Sequence, residues 1–174
     1  MLEPAGAAAP APRPLDVARL PDHLDRLYRA AYGLCGARED AEDLVQDTYA
    51  QVLKRPRLIR RDDDIAYLLR VLRNTFLEHE RGRKRRPVVT PTDEVDWIPG
   101  PNEDPTGTLV ESRAAFAAIA TLTAPLRDTI VAVDVAGLSY KEAARSLRIR
   151  QGTVMSRLHR ARQRVMELLD DDAA

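Results

Sequence analysis

A proline-rich, acidic stretch at residues 87–108 constrains the fold of this 174-residue chain more than any other feature. It holds five prolines and two glycines, together with five acidic residues and no basic ones. Proline fixes its own φ angle and has no backbone N–H to donate, so such a stretch continues neither a helix nor the interior of a sheet. We therefore expect an extended acidic linker here, with a separate folded unit on each side.

Both flanking segments carry helical periodicity. Apolar residues recur three or four positions apart in three stretches before the linker and in further stretches after it. Aromatic residues make up only 5% of the chain, which favours helices over sheets. The sequence predicts an all-α fold with two small helical domains, at 21–86 and 109–170. Residues 1–20, with four prolines and a run of alanines, are predicted to be a disordered lead-in.

The formal net charge is zero, but the charges are segregated along the chain. Residues 21–53 sum to −4 and the linker to −5, whereas 54–86 sum to +7 and 137–169 to +6. Local positive charge of this size attracts a polyanion whatever the total charge of the chain. The two basic blocks are therefore candidate polyanion-binding surfaces.

The second basic block has the pattern of a helix-turn-helix. Gly137 suits the left-handed position after a helix, and Ser139 with Glu142 forms a capping box for the next helix. A tight turn at 148–150 then leads into a long helix. Its apolar stripe consists of Val154, Leu158, Ala161, Val165 and Leu168. Arginines lie off this stripe, which predicts a recognition helix for the major groove. A solvated, arginine-rich surface helix is the alternative at this point.

The sequence gives no support to a catalytic function. The three histidines lie far apart, and neither a glycine-rich phosphate loop nor a Ser/His/Asp grouping occurs. We expect no enzymatic activity, no metal and no cofactor. The single cysteine, Cys35, is predicted to be a small buried residue and not a redox sensor. No apolar run approaches the roughly 20 residues that span a bilayer, so we expect a soluble, cytoplasmic protein.

Three separated motifs resemble one known family. The chain closely resembles the extracytoplasmic-function (ECF) σ factors of bacterial RNA polymerase, in the σ-70 superfamily. The motifs are AEDLVQDTY at 41–49, LLRVLRN at 68–74, and GLSYKEAA with GTVMSRLHRAR at 137–144 and 152–162. The resemblance implies that 21–86 is σ domain two and 109–170 is σ domain four. It also implies three partners: core RNA polymerase, promoter DNA and an anti-σ factor.

The resemblance implies how the polymerase is bound. In the family, the helix with the AEDLVQ string docks on the clamp helices of the largest polymerase subunit, while the flap is a further contact. The implied contact residues are Asp43, Leu44, Gln46 and Asp47. Acidic residues beside an exposed leucine would suit an arginine-bearing partner helix.

The resemblance also implies how the −10 promoter element is bound. Residues 56–64 and the following helix would capture an unstacked base, with Asn74 presenting both a donor and an acceptor to the base edge. Phosphates would be held by Arg57, Arg60, Arg61, Arg70 and Arg73. A basic tail suits the adjacent duplex or forms a nonspecific polyanion patch; it consists of Arg81, Arg83, Lys84, Arg85 and Arg86.

For the −35 element, the resemblance points to the first turns of the recognition helix. The implied base-edge contacts are Met155, Ser156, His159 and Arg160, with Thr153 and Arg157 near phosphates. Met155 stands where the family usually has a basic residue, which indicates an apolar contact such as a thymine methyl. Arg148 and Arg150 stand where a glycine and a serine cap are common, so the turn lacks its usual glycine.

The alternative function is a stand-alone helix-turn-helix regulator with an N-terminal sensory or dimerisation domain. Such a protein would find its site without polymerase. The acidic docking string and the basic block before the linker argue against it, because a sensor domain needs neither. An adaptor that only bridges proteins would leave both basic blocks unexplained.

Overall fold

The computed structural model describes residues 12–54, 58–60, 64–84 and 108–172, and helices dominate these ranges. The first domain holds α1 (Leu24–Cys35), α2 (Arg38–Lys54) and α3 (Asp64–Lys84); the second holds α4 (Thr108–Thr121), α5 (Ala124–Ile130), α6 (Tyr140–Leu147) and α7 (Gln151–Asp172). A π-helical turn, Val131–Val135, extends α5. The prediction of an all-α fold with two groups of helices is confirmed, and the predicted linker, apart from Thr108, lies outside the described residues. Within the described ranges, no helix is both long and apolar enough to cross a membrane.

The segment before α1 departs from the prediction. Strand β1 (Pro12–Pro14) pairs antiparallel with strand β2 (Leu58–Arg60), and a 3-10 helix, Val17–His23, follows. Leu15 and Leu20 are buried. The prediction of a disordered lead-in is therefore wrong for residues 12–20, because these two leucines give the segment apolar surface to bury that its prolines and alanines do not suggest. Residues 1–11 lie outside the described residues.

The three helices of the first domain form its core through the predicted apolar stripes. Leu27 of α1, Leu44 of α2, and Leu68 and Leu72 of α3 are all inaccessible to solvent. Helix α1 ends at Gly36, whose φ of 76° is left-handed and whose N–H donates to the Tyr32 carbonyl at 2.8 Å. Glycine takes this conformation without the steric cost of a Cβ, which allows the chain to turn directly into α2.

The two domains pack against each other and share one continuous apolar core. Helix α1 lies against α4 and the π-helical turn, and α3 lies against α6. Tyr32 and Phe116 meet edge to face with ring centroids 5.2 Å apart. A Cβ at Gly33 would lie 3.0 Å from Val131 Cγ2, so this glycine allows the close approach. We call this packing the closed arrangement; nothing in the sequence pattern predicted it.

Candidate nucleic-acid and protein interfaces

The helix-turn-helix predicted in the second domain is present in the structure. Gly137 has a φ of 67°, and Ser139 and Glu142 form the complete capping box at the start of α6. The hydrogen bonds from Ser139 hold the pKa of the Glu142 carboxyl below its usual value. Arg148 ends α6 in the left-handed conformation with a φ of 57°. The usual glycine is indeed replaced here by a residue that adopts this conformation only at a steric cost.

Helix α7 exposes the predicted base-reading residues on one face. Val154, Leu158 and Ala161 are buried and fix the rotation of the helix against the second domain. The four side chains predicted to meet base edges are all exposed: Met155, Ser156, His159 and Arg160. Met155 is 52% exposed, so a large apolar side chain stands on the surface in the first turns of the helix. Thr153 and Arg157 are half-buried beside this face.

Helix α2 presents an acidic face to solvent. Asp43, Gln46 and Asp47 are exposed, one helical turn apart. Asp47 is 2.9 Å from Nε2 of His79 on α3. Leu44, by contrast, is 0% exposed, so the expectation of an exposed leucine is wrong. Its side chain packs into the helical core, on the side of α2 opposite the acidic face.

The predicted −10 residues on α3 do not all face solvent. Asn74 is exposed, while Arg73 and Arg70 face the second domain. Arg73 Nε is 2.6 Å from Asp128 Oδ2, and Arg70 donates to the Arg145 carbonyl at 3.2 Å. Arg57 and Arg61 lie outside the described residues, as does the side chain of Arg60, whose backbone belongs to β2.

The basic tail continues along the end of α3. Arg81 and Arg83 are exposed, and Arg83 pairs with Asp40 of α2 at 2.7 Å. This pairing helps to raise the pKa of the Arg83 guanidinium. Helix α2 and the basic end of α3 are thus joined by this ion pair. The side chain of Lys84, and Arg85 and Arg86, lie outside the described residues.

The polar contacts between the two domains were missed by sequence reasoning. Asp128 is buried at the domain interface, and its Oδ1 has no hydrogen-bond partner among the described residues. Arg26 of α1 donates to the carbonyls of Ala136 at 2.8 Å and Gly137 at 3.2 Å, directly before the helix-turn-helix. Asp128 follows Arg127 directly in the sequence, and no local pattern marked it as the buried partner of Arg73.

Family comparisons agree with this architecture. The family model Sigma-70 region 2 matches residues 21–86, and the model Sigma-70, region 4 matches residues 112–165. The ECF RNA polymerase sigma factor SigL of Mycobacterium tuberculosis is 32% identical over 163 residues, covering 92% of each chain. The chain belongs to the extracytoplasmic-function σ factors of the σ-70 family.

Further relatives place the chain within that family. The ECF RNA polymerase sigma factor SigE of Mycolicibacterium smegmatis is 35% identical over 150 residues, which cover 84% of this chain and 58% of that relative's length. Among solved structures, the sigma factor RpoE of Bartonella quintana, in complex with the anti-sigma factor NepR, has a TM-score of 0.67 and 28% identity. That match covers 88% of this chain and 95% of the other. CnrH, bound to the cytosolic domain of CnrY, shares the fold with a TM-score of 0.56 at 23% identity, covering 90% of this chain and 86% of that chain.

Proposed function

We propose that this chain is a dissociable transcription-initiation subunit that binds core RNA polymerase, recognises −35 and −10 promoter elements, and promotes DNA opening. The observation that carries the proposal is the presence of three different surfaces on one chain. These are the acidic face of α2, the α3 surface with Asn74, and the exposed face of α7. A stand-alone regulator would need only the last of them.

The α2 face suits a basic helix of the polymerase. Asp43 and Asp47 can each accept charge-assisted hydrogen bonds from arginine, and Gln46 lies between them on the same face. Such complementary charges also speed the encounter of two proteins. Leu44 acts only by holding this face in place.

The α3 surface suits the melted −10 element. Extruding a base costs stacking and pairing energy, which the protein must offset by contacts available only to the open strand. Asn74 can donate to and accept from one base edge. Arg81 and Arg83 on the following turns can hold the phosphates of the adjacent duplex.

The α7 face suits the −35 element in the major groove. Ser156, His159 and Arg160 carry hydrogen-bonding groups for base edges, and Met155 offers apolar contact to a thymine methyl. Thr153 and Arg157, set back from the face, suit phosphates. The second domain thereby places the protein on the promoter, while the first domain distinguishes it from a repressor.

In the closed arrangement, two of the predicted DNA-binding arginines are bound to the second domain. Arg70 and Arg73 contact the second domain, so their use on DNA requires the two domains to separate. A protein that binds the closed arrangement would keep the factor inactive, and the likeness to a σ factor solved with an anti-σ factor supports such a partner. The proposed role is binding without catalysis, in the cytoplasm where bacterial promoters and polymerase are found.

Run-off transcription with core polymerase and a genomic promoter library tests the proposal. Adding the protein should produce start sites that core polymerase alone does not use, and an unchanged set of transcripts would contradict the assignment. Replacing Asp43 and Asp47 by lysine should abolish these transcripts and weaken core binding at least about tenfold, because like charges would then meet. The matched control replaces Asp22 and Asp25, which are also exposed, by lysine. Its transcripts and its core binding should equal those of the parent.

A further inference from the structure

The segment Pro12–Leu20, which we call the N-terminal arm, is packed onto the first domain. It precedes the residues matched by the region 2 family model. Leu15 and Leu20 are buried, and the Tyr49 hydroxyl donates to the Leu20 carbonyl at 3.0 Å. The Asp16 carboxylate accepts from the Ala18 N–H at 3.1 Å and starts the 3-10 helix. The arm is therefore anchored on α2 at its end.

The start of the arm fixes strand β2. Arg13 lies opposite Ile59 in the antiparallel pair. Within β1, only Arg13 has a backbone N–H to donate, because its neighbours are prolines. Ile59 is 5% exposed and Leu58 is 70% exposed, so the strand has one inward and one outward side chain. A shift of one residue would exchange them, and the pairing therefore sets which side chain faces out.

The same arginine fixes the start of α3. Arg13 Nη2 lies 2.9 and 3.0 Å from the two carboxylate oxygens of Asp64, the first residue of α3. The Asp64 side chain is 4% exposed. A carboxylate this deeply buried needs its counter-charge, because removal of one partner leaves an uncompensated charge. Arg13 thus joins β2 through its backbone and α3 through its side chain.

We propose that the N-terminal arm is part of the −10 recognition machinery, with Arg13 as its positioning residue. This inference rests on the proposed function of the first domain. Helix α3 carries Asn74 about 15 Å along its axis from Asp64, so the position of its first turn directs the base-reading side chain. Strand β2 lies in the segment implied to capture the extruded base. Holding both in advance keeps Asn74 from shifting to meet the edge of a different base, and so sharpens the choice of base.

Base discrimination by the full chain with core polymerase tests the inference. On a promoter found by run-off transcription, transcripts are compared with those from single-base variants of the −10 and −35 elements. Arg13→Ala should lower the −10 discrimination ratio about tenfold and leave the −35 ratio unchanged. Arg13→Lys keeps the charge but loses the second guanidinium nitrogen, Nη1, which donates to the Pro14 carbonyl at 3.3 Å. It should show a smaller loss of the same kind.

Arg19→Ala is the matched control. Arg19 lies in the same arm, is exposed, and approaches only Asp22 at 3.8 Å among the ion pairs described, so both ratios should stay at the parental value. An unchanged −10 ratio in Arg13→Ala would overturn the inference. A uniform loss of transcription with both ratios unchanged would also overturn it, because that is the effect of a residue needed only for stability. Failure of the unaltered protein to start transcription would contradict the proposed function instead.

Discussion

Cys35 ends α1, and burial is the main cause that raises the pKa of its thiol to about 12. The thiolate, and not the thiol, is the nucleophile. At pH 9 the thiol of an unfolded cysteine is largely ionised. With a pKa of about 12, only about one native molecule in a thousand carries a thiolate at that pH. Cys35 should therefore be unreactive in the folded protein at physiological pH.

Alkylation by iodoacetamide measures this directly, because the chain has a single cysteine. At pH 9 the native protein should react at least about a hundredfold more slowly than the urea-unfolded chain, and the native rate should rise as the pH approaches 12. Cys35→Ser supplies the blank. Equal native and unfolded rates would show that the thiol is accessible and ionised.

Leu44 shows what the sequence could and could not establish for single residues. Its spacing with Ala41, Val45 and Thr48 is that of a buried helical stripe, and all four are buried. The periodicity therefore indicated that Leu44 is buried, whereas the family motif alone suggested that it is an exposed contact residue. Asp43, Gln46 and Asp47 fall on the opposite face, which the same periodicity also indicates.

Among the elements, the turn between α6 and α7 carries a strained residue. Arg148 has a φ of 57°, a conformation that costs a non-glycine residue roughly 1 kcal/mol. Arg148→Gly should raise the free energy of unfolding by about that amount, less the extra freedom that glycine gains in the unfolded chain. Urea unfolding of the full chain measures the difference. A destabilised variant would show that the arginine side chain contributes more than the strain costs.

The start of α6 gives the opposite expectation. Ser139→Ala should lower the free energy of unfolding by about 1 kcal/mol, because it removes the capping hydrogen bond. Hydrogen bonds from Ser139 lower the pKa of Glu142 from its ordinary value of 4.5. The part of the stabilisation that comes from the Glu142 carboxylate is therefore complete above that value and is lost as the pH falls through the lowered pKa. The bond from the Glu142 N–H to Ser139 Oγ does not titrate. The difference between parent and variant should therefore shrink in acid. A difference that stays constant from pH 7 to pH 3 would contradict the role of Glu142.

Local signals explain which elements the sequence could predict. The capping box, Gly137 and the turn at 148–150 depend on residues a few positions apart, and all are confirmed. The β1–β2 pair joins Arg13 to Ile59 across α1 and α2, and no short-range pattern encodes such a contact. A proline-flanked arginine also has weak strand propensity of its own. Only the folded first domain supplies the partner that orders the arm.

For the whole molecule, the closed arrangement includes an ion pair that is costly to bury. Asp128 is 4% exposed, and one of its oxygens lacks a partner among the described residues. A buried pair that is only half satisfied adds little stability, because the buried carboxylate has lost its contacts with water. This balance suits an interface that must hold and then open. Charge patterning predicted two basic blocks but could not show that arginines of the first would pair with the second domain.

Replacing Asp128 tests this balance. Asp128→Ala should favour separated domains, free Arg73, and tighten binding to duplex DNA about tenfold, because more molecules are competent to bind. Asp134→Ala is the matched control, since it removes the same charge from a pair with Arg162 inside the second domain, at 2.7 Å. Fluorescence anisotropy at low salt compares them. Equal affinities for the two variants would show that the closed arrangement does not limit DNA binding.

Permanganate reactivity of promoter thymines tests the central claim most directly, because it detects unstacked bases. With core polymerase and this protein together, thymines near −10 should become reactive, and Asn74→Ala should reduce that reactivity much more than it reduces closed-complex binding. Neither component alone should open the duplex. A protein that protects the −35 region yet leaves the −10 thymines unreactive in the presence of core polymerase would be a helix-turn-helix regulator, and the proposed role in promoter opening would be wrong.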